Sequence, residues 1–415
     1  MTVEQTTTIR GPRMKTKKLS FPELEERQAV LAERRRLKMA GSAHAYVRGN
    51  TLKFYEWLEA AGGGVIPEGP PVWICGDCHV GNLGPLANAK GRIDIQIRDF
   101  DQTVIGNPAH DLIRLGLSLA TAARGSDLPG VTTAKMIEAM MEGYGQALEG
   151  EVVDQDEKPE SVRIVMKRAV GRTWKQLARE RLEDTTPTIP LGNRFWPPSG
   201  EEAQEIRQLF ANDLVRRLVT SLHSRDDDAE VELLDAAYWV KGCSSLGRLR
   251  FAILLGVGGG SAGEADLCLM DVKEAVQAGA PRAPNVEMPH NDGERVVAGA
   301  RHMSPSLGDR VLPGHFLGRA VFVRELRPQD LKVEIDRLSR EEAMKVAKFL
   351  ATVVGRAHGR QMDTPTRQIW HGELNRNRQR DFDAPSWLWS SIVELVSSHE
   401  AAYLEHCRKY AMNVD

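Results

Sequence analysis

The chain has 415 residues, 41% hydrophobic and 27% charged, with a formal net charge of −2 at pH 7. That length allows two or three lobes at roughly 100–200 residues per domain, and the composition suits a chain that buries a core. The near-neutral charge speaks against a general nucleic-acid binder, and no stretch approaches the roughly 18–20 consecutive apolar residues of a membrane span.

Residues 1–20 are polar and basic and are expected to form a loose arm without the apolar core of a secretory leader. FPELEERQAVLAERRRLKMA reads as a charged helix whose Arg34, Arg35, Arg36 and Lys38 either face solvent or meet an anionic partner. TLKFYEWLEAAGGG reads as a helix stopped at Gly62, Gly63 and Gly64, since glycine accepts the left-handed turn that ends helices. PPVWIC is a short apolar strand. In GRIDIQIRDFD, Ile93, Ile95 and Ile97 alternate with polar residues, the period of a half-buried strand. NPAHDLIRLGLSLATAARG predicts a helix with Leu112, Leu115, Leu119, Ala122 and Ala123 on one face.

From about Ser126 to Asp235 the pattern is mainly helical, interrupted by TTPTIPLGNRFWPPSG. AYWVKGCSSLGRLRFAILLGVGGGSAGEADLCLMDVKEA then reads as three strands joined by glycine-rich turns. GERVVAGARHM predicts a helix and RAVFVREL a strand, and two amphipathic helices follow, in LSREEAMKVAKFLATVVGRAHGRQM and SWLWSSIVELVSSHEAAYLEHCRKYAM. The expected organisation is a helical arm at 1–60, a catalytic-loop lobe at 61–235, a strand lobe at 236–328 and completing helices at 329–415. The five cysteines are scattered and odd in number, which suits reduced thiols in the cytoplasm.

The stretch CGDCHVGNLGPLANAKGRIDIQIRDFDQ carries the most chemistry. Cys75 and Cys78 have CxxC spacing, but a structural zinc site needs four ligands and no second close pair exists, so both are read as packing residues. The carboxylates form a more telling pattern: a strand, Asp77-x4-Asn82, a hairpin, then Asp99 and Asp101 around Phe100. Phoshoryl transfer with magnesium calls for such a set. One carboxylate orients or deprotonates an acceptor hydroxyl, while an amide oxygen and a second carboxylate hold the ion that bridges phosphates.

GDCHVGN followed by RDFD resembles the catalytic loop and metal-binding turn of the aminoglycoside-phosphotransferase branch of the protein-kinase-like superfamily. Gly76, Asp77, His79 and Asn82 match the loop, Cys75 stands where the branch carries histidine, and Asp111 falls where an aspartate braces that loop. The ATP clamp does not precede this loop. VKGCSSLGRLRFAILL resembles strand, glycine loop and strand, with Gly242, Ser244, Ser245 and Gly247 near phosphate, and DLCLMDVKEA resembles the strand bearing the phosphate-binding Lys273. By the same resemblance GERVVAGARHM supplies Glu294 as the lysine's partner, and backbone near Glu325 and Leu326 in VFVREL faces adenine.

The order is that of a circular permutation, and it resembles the bacterial domain-of-unknown-function family 2252. The resemblance implies an α+β, two-lobed, kinase-like fold and use of ATP and magnesium. The expected activity is phosphate transfer to a hydroxyl of a small molecule. Asp77 acts as base, Asn82 and Asp99 as magnesium ligands, Asp101 as a second ligand or a brace, and Lys273 as the phosphate clamp. AMP transfer and a nucleotide-sensing pseudokinase are the alternatives. HGELNRNRQRDFD, which superficially repeats the motif, is read as a surface loop because too few residues separate its two halves. Arg48 either holds an anion or makes a structural ion pair, His79 is read as bracing the loop, and His358 as a structural residue.

Overall fold

The structure, a computed structural model, describes residues 20–61, 66–150, 158–171, 188–221, 225–258, 266–327, 330–331, 339–376 and 384–410. Residues 1–19, the tip of the GVGGGSAG turn and the second half of HGELNRNRQRDFD lie outside them. No helix among the described residues is long and apolar enough to cross a membrane.

The N-terminal region forms α1 (Leu24–Ala40), α2 (Ala43–Gly49) and α3 (Thr51–Ala61). The Ser42 hydroxyl caps α2 by accepting from the Ala45 amide. Strand β1 (Val72–Ile74) leads into the loop 75–82, the hairpin β2 (Leu83–Ala87) and β3 (Ile93–Ile97) follows, and β4 (Val104–Gly106) pairs antiparallel with β1. Closing β4 on β1 brings the 75–82 loop and the Asp99 turn side by side.

Asn107 caps α4 (Pro108–Gly125), with proline in the first turn, where its missing N–H is no loss. The single apolar face expected for this helix is corrected. Every residue from 111 to 120 is buried, because α4 packs against α5 (Gly130–Glu149), α11 (Arg340–Gly359) and α13 (Ser386–Tyr410). Small residues let α5 and α11 close up: a Cβ on Gly143 would fall 2.2 Å from the Lys348 carbonyl.

The larger sheet contains β5 (Phe195–Trp196), β6 (Val231–Trp239), β7 (Arg250–Val257), β8 (Asp266–Glu274), β9 (Val311–Phe316) and β10 (Arg319–Leu326), in the antiparallel order β5-β6-β7-β8-β10-β9. Helices α9 (Asp292–Met303) and α10 (Pro305–Gly308) lie between β8 and β9 in the chain. Strand β6 begins at Val231, ahead of the boundary expected at 236, and shifts register between Leu233 and Asp235. Strand β7 is buried along its whole length because both faces are covered. Phe251, Ile253 and Leu255 pack with Phe316, α7 (Gly200–Phe210) and α8 (Asp213–Thr220), while Ala252 and Leu254 meet Trp239 and Leu326. Truncating Ile253 to alanine is expected to cost about 2–5 kcal/mol.

Helix α1 joins the two regions. Leu31 enters the sheet's core, and Arg27 pairs with Glu202 at 2.5 Å with both side chains buried. At its other end, the Ala40 and Arg36 carbonyls are bonded by Tyr403 and His406 of α13.

Candidate active site

The loop 75–82 is fixed from below by a buried polar line. Asp111 accepts from the Cys75 and Gly76 amides at 2.7 and 2.9 Å, and His358 Nε2 lies 3.2 Å from the same carboxylate. His358 Nδ1 is 2.9 Å from the Tyr144 hydroxyl, which accepts from Trp370 Nε1. A loop amide pair bound to a buried carboxylate cannot drift without leaving that charge unpaired, which is costly. The expectation that Asp111 braces the loop agrees with this geometry, and His358, expected to be structural, supports the same carboxylate.

Asp77 is held on both oxygens. Arg114 Nε donates to Oδ1 at 2.8 Å and the Thr51 hydroxyl to Oδ2 at 3.2 Å, while the Asn82 amide donates to the Asp77 carbonyl. Desolvation pushes the Asp77 carboxyl above its ordinary range, and the Arg114 guanidinium opposes that shift. His79 lies 3.9 Å from Asp77 Oδ2. Burial, then Arg48 and Arg114, hold its imidazole well below the usual value, so it is neutral at pH 7. Cys75 and Cys78 are fully buried, with the Cys75 thiol on the Asp99 carbonyl. The Cys78 contact and then burial push the Cys75 thiol well up, away from the thiolate a metal requires.

The structure brings Lys273 to the Asp99 turn across 174 positions of sequence. The Lys273 ammonium lies 3.1 Å from Asp99 Oδ1 and 2.6 Å from Asp101 Oδ2. Lys273 is buried, whereas the Asp99 side chain remains 41% exposed and open to a ligand. Desolvation disfavours its charge, but Lys273 and Arg324 override that and hold Asp99 well below the ordinary carboxylate range.

Residues 240–249, between β6 and β7, close over this pair. Gly242 has φ +97°, and a Cβ there would fall 2.1 Å from Ser245 Oγ, so glycine is required at the turn. Helix α1 holds the loop's backbone: Lys38 donates to the Gly242 carbonyl at 2.6 Å and Gln28 to the Gly247 carbonyl at 2.5 Å. Beneath lies a cleft of about 280 Å³ lined by Asp77, Asn82, Asp99, Gly242, Ser244 and Ser245. Lys38, Arg48, Arg98, Lys241, Arg250 and Arg324 line it as well. Six cations against two carboxylates make a strongly electropositive site.

Residues 27–409 match the family described as an uncharacterized protein conserved in bacteria, DUF2252. The chain belongs to that family. No curated protein and no solved structure matches it.

Geometry corrects the expected roles of Glu294, Glu325, Leu326 and Gly247, and of the two roles open to Asp101 it favours the brace. Glu294 is exposed on α9, and Lys273 takes Asp99 and Asp101 as its partners instead. The inward position belongs to Arg295, about 100° further round the helix, which donates to the Thr103, Asp101 and Val276 carbonyls. Asp101 does not line the cleft; Lys273 and Arg248 occupy its Oδ2, so it braces the turn. The Glu325 carbonyl accepts from Arg310 and its side chain pairs with Arg225. Leu326 packs into the cluster with Leu254 and Leu269. Gly247 sits on the far side of the loop, against Gln28.

Arg114 escaped the sequence reading, although a charged residue inside the apolar run LIRLGL was a signal for it. Arg98, Arg250 and Arg324 carried no comparable signal, since each sits at a strand or turn position where charge is ordinary. Among the described residues, no group of three or more His, Cys, Asp or Glu side chains gathers to hold a metal. Magnesium does not require one: it keeps several waters and binds through one or two protein oxygens plus phosphate. Asp99 and the Asn82 amide oxygen, both lining the cleft, fit that donor set.

Proposed function

We propose that the chain is an ATP- and magnesium-dependent phosphotransferase acting on a hydroxyl of a small molecule. The observation that carries this reading is Asp99, paired at 3.1 Å with the buried Lys273 and lining one cleft with Gly242, Asp77 and Asn82. A two-lobed, circularly permuted kinase-like fold accounts for the chain order. The catalytic loop comes first; then strand, glycine loop, strand, lysine strand, helix and further strands follow, and α11 comes after them.

In this reading Asn82 and Asp99 hold magnesium, which neutralises charge on the phosphates when bound. Lys273 is held beside Asp99 and is presented to the phosphates by it. Backbone around Gly242 and the Ser244 and Ser245 side chains contact phosphate oxygens. Asp77, with its charge tempered by Arg114, orients the acceptor hydroxyl and receives its proton. The neutral His79 and the Asp111 line keep the loop in register.

The test is to incubate full-length protein with magnesium, ATP and a panel of hydroxylated metabolites, and to weigh the products. A phosphorylated metabolite formed with release of ADP, and lost in Asp77→Asn, is expected. A product carrying AMP replaces phosphate transfer with AMP transfer, and nucleotide binding without any product favours the sensing role.

A further inference from the structure

Among its described lining residues the cleft lacks what a nucleotide base needs. Pockets for flat organic ligands are mostly apolar and aromatic, with a few oriented polar groups. Among the side chains lining this one, only Ala45 and Cys243 are apolar. Three features of the strand lobe explain why.

The first is a buried ion triad. Asp271, two positions before Lys273 and on the same face of β8, is fully buried. Arg250 reaches its two oxygens at 2.8 and 2.6 Å, and Arg324 reaches it at 3.0 and 2.9 Å. Strand register stacks them: Arg250 is opposite Lys273, and Arg324 is opposite Asp271. The sheet therefore turns a charged wall towards the cleft. The second feature lies further along the same face. Its apolar positions, Ala252, Leu254, Leu269 and Leu326, are already covered by Ile189, Phe195 and Trp239 of the chain itself. The third is the backbone after β10. The Glu325 carbonyl accepts from Arg310, and the Arg327 amide donates to Asp330, so neither is left to pair with a base edge.

The site is instead furnished for anions. Arg48 makes no hydrogen bond or ion pair with any described residue, and its Nε is buried without a partner, as is that of Arg98. Both line the cleft beside Lys38 and the turn at Gly242. A buried guanidinium N–H without a partner is costly unless an anion completes it.

We infer that this site reads a linear chain of phosphates and not the base attached to it. The inference rests on the phosphotransferase reading above. The phosphate chain is either free polyphosphate or the triphosphate of any nucleotide.

The test uses full-length protein in excess magnesium, titrated calorimetrically with ATP, GTP, CTP and inorganic tripolyphosphate. Stacking a base on an aromatic face is worth about 1–3 kcal/mol, roughly 5–150-fold, so without it the four dissociation constants should agree within about fivefold. Arg48→Ala, whose fold is checked by thermal unfolding, should weaken all four by a similar factor. Equal binding upholds the inference for either source. Binding of tripolyphosphate alone upholds it and assigns the free chain. ATP binding more than about 30-fold tighter than GTP, CTP and tripolyphosphate overturns it while leaving the phosphotransferase reading intact. Failure of all four to bind overturns both.

Discussion

Asp77 and Asp99 line the same cleft, yet their surroundings drive them in opposite directions. Desolvation raises Asp77, and its one cation, Arg114, only partly offsets this. Asp99 meets the same desolvation but has Lys273 and Arg324 beside it, and it is held firmly ionised. Two carboxylates pushed apart in this way suit different tasks, one more ready to take up a proton and one kept ionised to hold a cation. The regions that supply them differ accordingly. Asp77 stands on a loop pinned to buried helices, whereas Asp99 meets a strand from a separate part of the chain.

The largest effect should come from Asp77→Asn, which keeps the shape and one acceptor oxygen for Arg114 but removes the base. Turnover should fall by roughly 10²–10⁴, with triphosphate affinity nearly unchanged. Full activity in steady-state assays of this variant breaks the contrast at once.

How much of this pair was legible beforehand follows from periodicity. Strands with clean alternation, such as the one containing Phe251, Ile253 and Leu255, announce themselves, and so do acidic residues placed just after strands. Val104–Gly106 is too short for a period to show, and Val311–Phe316 carries Pro313 and Gly314 where alternation would be read. Glu294 was assigned inward because a helix pattern does not say which of two adjacent charges points to the core; Arg295, with three carbonyls to meet, takes that place. The buried Arg250–Asp271–Arg324 triad was invisible because it depends on register between strands far apart in sequence.

Lys273→Ala should have the next largest effect. It removes the nearest cation from Asp99, whose carboxyl then titrates higher, and triphosphate affinity should fall by about 10–100-fold, the order of one lost electrostatic clamp. Because Asp99 is useful only when ionised, the loss should deepen as pH falls, and calorimetry from neutrality down towards the carboxylate range at about pH 4 reads this directly. An unchanged affinity separates Lys273 from the site.

A smaller, sharper test concerns the acid limb of the pH–rate profile. Asp77 must be ionised to accept a proton, and its raised pKa places that limb above the roughly 3.9 of an ordinary aspartate. Replacing Arg114 by glutamine removes a cation, raises Asp77 further, and should move the limb to higher pH. Movement to lower pH reverses the sign and defeats the assignment. The smallest effect is expected from Cys75→Ser with Cys78→Ser, which should leave metal content by elemental analysis unchanged. Stoichiometric zinc lost on that double substitution refutes the packing role of these thiols.

The central claim is that Asp99 presents a cation to bound phosphates opposite Lys273. Its most direct test is ATP affinity measured against magnesium concentration in the wild type and in Asp99→Asn. The account predicts tightening with magnesium in the wild type and a flat response in the variant. The same magnesium dependence in both proteins contradicts it.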